Sequence, residues 1–139
     1  MRYLIDTNIL LLMIDDDKTL LSNDVSHIIG DCSNLLYISS ESVQELIHLV
    51  QTRKIIVKGW KTAQNIISFI EDNLHIIIKY IRKEHLATFA ALERVENHND
   101  PSDRIIIAQA ITENIPLISS DSKFGRYRKQ KLQLIYNKK

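Results

Sequence analysis

Four carboxylates stand where this sequence could do chemistry: Asp6 in "LIDTNIL", Glu45 in "SSESVQEL", Asp103 in "HNDPSDRIIIAQA" and Asp121 in "PLISSDSKFGRY". Like charges repel, so such a group persists together only when some members are protonated or a cation sits among them. Oxygen donors with no accompanying cysteine or histidine pattern suit Mg²⁺ or Mn²⁺ better than zinc. An ion so held can activate water and steady the charge of a phosphodiester during in-line attack, with no nucleophilic side chain required. Each acid also has a plainer reading. Asp6 can cap the helix starting at "TNIL", Glu45 falls roughly opposite the apolar face of its helix, and Asp121 can sit in a turn with Ser122. "NDPSD" opens a helix by ordinary rules, with Asp100 at the N-cap, Pro101 at the first position and Asp103 at N3, able to reach back as a capping-box acid.

Whether the acids meet depends on the elements that carry them. "RYLI" (2–5) reads as a strand that turns at once into the apolar helix "TNILLLMI" (7–14). A helical stretch over 18–29 precedes the strand "LLYI" (35–38), and Ser39 or Ser40 caps a helix whose Val43, Leu46, Ile47 and Val50 form one face. Further on come a helix over 60–72, a strand over 74–80, a helix over 84–95, the "DPSD" helix, and strands at 116–119 and 132–136. Strands alternating with helices imply right-handed crossovers and a largely parallel sheet, hence a three-layer α/β/α sandwich. In an open parallel sheet ligands bind beyond the carboxyl ends of the strands. Asp6 and Asp121 each follow a strand, and the helices carrying Glu45 and Asp103 begin at the same edge, so the four acids can converge there.

Composition bounds the rest. A chain of 139 residues, 45% hydrophobic, fits one domain covering 1–139 with a core that needs no staples. One cysteine, Cys32, excludes an internal disulfide, and no basic leader with a long apolar stretch precedes "RYLID", so a cytoplasmic protein without membrane insertion is expected. Net charge is +1, yet from Asp121 onward there are seven basic residues against one acid. That segment, with Arg126, Arg128 and Lys129 at its centre, is either a solvated tail or a surface for a polyanion near a metal site. The three glycines form no phosphate loop, the "DDD" at 15–17 lacks the features of a calcium loop and reads as a solvated turn, and the five histidines show no ligand spacing and are expected mostly at the surface or half-buried. Trp60, beside Lys58 and Lys61, reads as a core-edge residue or a base-stacking one.

In order and over nearly the whole chain, the four quoted stretches resemble PIN-domain ribonucleases of the VapC toxin type. The resemblance implies a metal-dependent endoribonuclease acting on RNA, a small cognate antitoxin as partner, and commonly a homodimer. It places Asp6, Glu45, Asp103 and Asp121 as catalytic and metal-binding acids, with Asn8 and Ser119 as supporting polar residues, Ser119 replacing a commoner threonine. Arg104 becomes a structural or orienting partner, and Ser102 occupies a position that is more often aromatic or aliphatic. Asp100 is then the cap and Asp103 the ligand. A receiver-like signalling domain would want paired acids after the first strand and a lysine after the last, and neither is present; a non-catalytic RNA-binding or scaffold domain would be expected to have lost acids. The run from Ile9 to Ile14 is too apolar for a single buried stripe. With Leu20, Leu21, Ile28 and Ile29 it is expected either to form a groove for an antitoxin helix or to be buried in the core or a homodimer contact.

Overall fold

The computed structural model describes residues 1–16 and 18–138. Asp17 of the triple-aspartate turn, the side chain of Lys18, and Lys139 of the basic segment lie outside the described residues. Five strands, β1 (Arg2–Ile5), β2 (Leu35–Ser39), β3 (Ile77–Lys79), β4 (Leu117–Ser119) and β5 (Leu134–Tyr136), form one sheet in the order β3-β2-β1-β4-β5, with every neighbouring pair parallel. The chain winds outward from β1 through β2 to β3, then restarts on the other side with β4 and β5. The order therefore reverses between β1 and β4.

The helices are α1 (Thr7–Ile14), α2 (Asn23–Gly30), α3 (Ser40–Gln51), α4 (Ala63–Ser68), α5 (Lys83–Ala91) and α6 (Pro101–Glu113), with short 3-10 segments at Lys18–Leu20 and Ser122–Gln130. Alternate strand residues feed two cores, as the two-residue period of a strand requires. Tyr3, Ile5, Leu36, Ile38, Ile78 and Ile118 pack with α1 to α4 on one face. Leu4 and Leu117 pack on the other with Ile106, Ile107 and Ala110 of α6 and with Phe124 and Tyr127. Both faces are covered, which is why the strands read as nearly continuous apolar runs, and the three-layer α/β/α arrangement follows.

Several elements are shorter than their patterns predict. The strand at 74–80 is confined to Ile77–Lys79 because His75 takes a left-handed φ of 55° and the Ile76 amide bonds back to the Ile70 carbonyl. The 60–72 helix begins only at Ala63, behind a Thr62–Asn65 capping box, and ends in a widened π-helical turn over Phe69–Asn73. The 84–95 helix stops at Ala91, where Leu92 turns extended and buries its side chain in the second core. Ser22 caps α2 and so divides the 18–29 stretch. Trp60 is half-buried, edge-on to Phe69 with ring centroids 5.3 Å apart, as a core-edge residue.

The α1 run is largely committed inward. Ile9 and Leu10 are fully buried and Leu11 to Ile14 pack half-buried against the first core, while Leu20 is left exposed. Asn137 stitches this end of the fold together: its side chain accepts from the Ser22 amide at 2.7 Å and donates to the Leu20 carbonyl and to Ser120 Oγ.

Candidate metal centre

Asp6 is the first residue beyond β1, and the sheet holds it at the switch point between β1 and β4. Its side chain is 4% exposed. Oδ1 accepts from the Ile9 amide at 2.9 Å, so Asp6 does cap α1; Oδ2 accepts from Ser119 Oγ at 2.5 Å across the β1–β4 boundary. Capping and site geometry are thus one arrangement. Burial, with the charges of Asp121 and Glu45 adding to it, pushes the Asp6 carboxyl up to about 6 even though the Ser119 and Ile9 hydrogen bonds pull the other way.

Ser119 is fully buried at the end of β4 and serves two acids, since its Oγ also accepts the Asp121 amide at 3.0 Å. Asp121 then accepts from the Lys123 amide at 2.9 Å, starting the 3-10 segment, so the turn expected there and the placement beside Asp6 coexist. Glu45 is exposed on α3 and accepts from Thr7 Oγ1 at 3.2 Å, and Thr7 also bonds the buried Ser42 hydroxyl at 2.9 Å. Thr7 and Ser42 form the polar contacts next to Glu45, while Asn8 is exposed and makes no side-chain hydrogen bond among the described residues. Glu45 stands at the rim of the cluster.

At the start of α6 the two aspartates of "NDPSD" separate. Asp100 accepts from the Ser102 amide at 2.9 Å as the N-cap. Asp103 does not reach back to complete a capping box. Burial first, then the charges of Asp100, Asp121, Asp6 and Glu45, lift its carboxyl to about 7. Ser102, where an apolar contact was in question, instead donates to Glu41 Oε1 at 2.8 Å and ties α6 to α3. Arg104 is structural: it donates to the Leu92 carbonyl at 2.9 Å and lies 5.1 Å over the Phe89 ring.

Sequence reasoning missed one member. Of the five histidines, His27, His48 and His75 are exposed, but His85 and His98 are buried, and His98 belongs to this site. Its Nδ1 is 2.7 Å from Tyr127 Oη and its Nε2 is 3.5 Å from Asp103 Oδ2. One donor atom each from His98, Asp103 and Asp121 lies within 4.8 Å of the others. The only signal was a histidine five residues before Asp103, preceded by an asparagine suited to a tight turn; Asn97 indeed takes φ 62°. The donor set fits a divalent cation, since two carboxylates and a buried imidazole nitrogen that has no hydrogen-bond partner among the described residues face a common space.

The basic residues after Asp121 are divided in their roles. Arg126 donates to the Glu96 carbonyl and Arg128 to the Leu134 carbonyl, so both brace the backbone while remaining exposed, whereas Lys129 is exposed among the described residues with no such contact. A trough of about 560 Å³ runs along α3 from Glu45 and Ser102 over Val43, Ile47 and Ile78 to Tyr80.

The parallel sheet, its two covering layers and the acids at its switch point define an α/β/α domain with an acidic cluster at the reversal of strand order. A PIN-domain family model matches residues 3–130, most of the chain, and the protein belongs to that family. A comparison with curated proteins by sequence finds no match. Among solved structures, the chain is similar to VapBC2 from Rickettsia felis bound to a promoter DNA fragment (22% identity, 98% of each chain, TM-score 0.70). It is similar also to DNA-bound VapBC from Salmonella typhimurium (15%, 98% of each chain, 0.69) and to VapBC-1 from nontypeable Haemophilus influenzae (20%, 100% of each chain, 0.67). Among the described residues no helix is long and apolar enough to cross a membrane.

Proposed function

We propose that the protein is a divalent-cation-dependent endoribonuclease and the toxin of a pair completed by a small antitoxin. Asp6, Asp103 and Asp121 would hold Mg²⁺ or Mn²⁺, with Glu45 at the rim. The observation that carries this reading is the convergence of acids from residues 6, 45, 103 and 121 at one switch point, two of them held well above the ordinary carboxylate range. Such a cluster is unfavourable by itself and is relieved by a cation. When bound, that cation supplies Lewis-acid polarisation of a phosphodiester and a more acidic water.

The chain's own residues set the geometry. Ser119 holds Asp6 and the Asp121 amide in one hydrogen-bonded unit, and the Ser102–Glu41 bond keeps α6 against α3, so Asp103 and Glu45 keep their spacing. Lys129, Arg126 and Arg128 are exposed on the 3-10 segment that follows Asp121, and a phosphate backbone held by them would release counterions. The solved VapBC structures are the basis for expecting an antitoxin here. An amphipathic antitoxin segment with a basic end suits the α3 trough, which is apolar along its floor and acidic where it meets the site. That surface is a better fit than α1, whose apolar residues largely face the core. A second copy of the chain, as in the family's dimers, belongs to the same proposal.

The test is incubation of purified protein and RNA with MgCl₂ or MnCl₂, with EDTA and with Asp121→Asn as controls. Cleavage that needs the ion and is lost in the variant supports the reading. RNA bound but left intact under all conditions would favour the non-catalytic RNA-binding alternative, and cleavage undiminished by EDTA would remove the cation from the mechanism.

A further inference from the structure

His98 lies on the loop between α5 and α6, and that loop is fastened from several sides. Arg104 holds the Leu92 carbonyl, Gln130 exchanges two hydrogen bonds with the Glu93 backbone, and Arg126 holds the Glu96 carbonyl. The imidazole is 4% exposed and sits edge-on to two aromatic rings, with centroids 5.5 Å from Phe124 and 5.3 Å from Tyr127. Its Nε2 is buried without a hydrogen-bond partner among the described residues and lies 3.5 Å from Asp103 Oδ2. A buried polar atom left unpaired is costly, and here it is aimed at carboxylates rather than into an apolar wall.

We propose that His98 Nε2 is a cation ligand, so that the centre is a mixed nitrogen–oxygen site in which His98 joins Asp103 and Asp121, with Asp6 beside them, and which favours Mn²⁺ over Mg²⁺. The inference rests on the cation-dependent reading above and adds to it the donor that selects the metal. Ligands at about 2.1 Å from one ion, at angles between octahedral and tetrahedral, stand about 3.0–3.5 Å apart, and the His98–Asp103 distance meets that spacing. The Tyr127 hydroxyl completes the arrangement. When Nδ1–H donates to Tyr127 Oη, at 2.7 Å, the lone pair of the neutral ring is on Nε2, facing the acids. Tyr127 is then a positioning residue, acting through the tautomer and tilt of His98. Imidazole suits first-row transition ions, whereas Mg²⁺ prefers an all-oxygen shell, so the nitrogen discriminates between them.

The test is pulsed electron paramagnetic resonance of the unmodified protein loaded with Mn²⁺ alone, together with calorimetric titration of Mn²⁺ and Mg²⁺. The expected spectrum carries the modulation of a directly bound imidazole nitrogen, absent in His98→Gln. That variant should weaken Mn²⁺ binding at least about tenfold and Mg²⁺ much less, and Tyr127→Phe should weaken Mn²⁺ about tenfold with the nitrogen signal retained. Bound Mn²⁺ that shows no nitrogen coupling, yet is lost in Asp121→Asn, overturns His98 as a ligand and leaves the acid site standing. No Mn²⁺ or Mg²⁺ bound by the unmodified protein overturns both readings.

Discussion

Replacing Asp6 with asparagine should stabilise the cation-free protein, and only above about pH 4. Asparagine keeps Oδ1 to accept from the Ile9 amide and caps helices as well as aspartate does, while its Nδ2 takes the place of Oδ2 and donates to Ser119 Oγ, so the change removes charge and reverses one hydrogen bond. In the folded chain burial and neighbouring carboxylates raise Asp6 from 3.8 to about 6. Below pH 4 the carboxyl is protonated in folded and unfolded chains alike, and variant and wild type should differ little. From pH 4 to 6 the unfolded carboxyl ionises while the folded one resists, and the wild type loses about 1.4 kcal/mol of stability per pH unit. Above pH 6 the loss levels off at about 3 kcal/mol, which for a domain of this size corresponds to about 10 °C in Tm. Urea unfolding of both proteins at pH 4, 6 and 8 in EDTA reads this directly. Repeating the pH 8 measurement with Mn²⁺ should narrow the gap, because the ion stabilises the ionised wild type. A variant no more stable than wild type at pH 8, or a gain of equal size at pH 4, refutes the reasoning.

Asp100→Ala should cost about 0.5–2 kcal/mol in urea unfolding and leave RNA cleavage measurable, whereas Asp103→Asn should abolish cleavage without lowering stability; matching behaviour of the two would undo the division between cap and ligand. Lys129→Ala should reduce the salt slope of RNA binding by about one. Removing Arg126, Arg128 and Lys129 together should flatten the slope further and also lower Tm, because the arginines brace Glu96 and Leu134; unchanged slopes in both would assign these residues to bracing or solvation alone. Tyr80→Asp should weaken antitoxin binding more than Met13→Asp in proteins that still cleave RNA, and the opposite order in a pull-down titration would move the docking surface back to α1.

Much of this fold was legible because its strongest signals are local. β1, α1, β2 and α3 follow from apolar periodicity and from Ser39 as cap, and Pro101 with Asp100 marks the start of α6. The edge placement of the acids follows from the strand-to-helix order alone. Ser119, whose supporting role came only from resemblance, is where the structure brings two acids together. His98 was not legible, because its burial depends on Phe124 and Tyr127, well beyond any local window, and on a loop closed by Arg104, Arg126 and Gln130. Thr7 was passed over for a related reason: the helical turn of α1 puts its hydroxyl beside Ser42 and Glu45, two residues on a different helix. The short β3 reflects one residue, His75, whose backbone conformation no hydropathy pattern encodes.

The narrowest part of the sheet is also where its acids gather. β1 and β2 are in register over four residue pairs, but β1 and β4 over only two, Leu4 with Leu117 and Ile5 with Ile118. Strands β4 and β5 join the rest of the sheet through that seam alone, and charges on both sides of it, Asp6 on one and Asp121 on the other, push it apart. Ser119 bonded to Asp6 is a stitch across the seam, and a cation there would act as a rivet. Amide hydrogen exchange should therefore locate the first opening of the native state at Leu4 and Asp6, whose N–H groups bond the Pro116 and Ile118 carbonyls. Adding a divalent ion should slow exchange at those two amides before it slows exchange elsewhere in β1 or β2, so that cation binding and mechanical closure of the sheet become the same event.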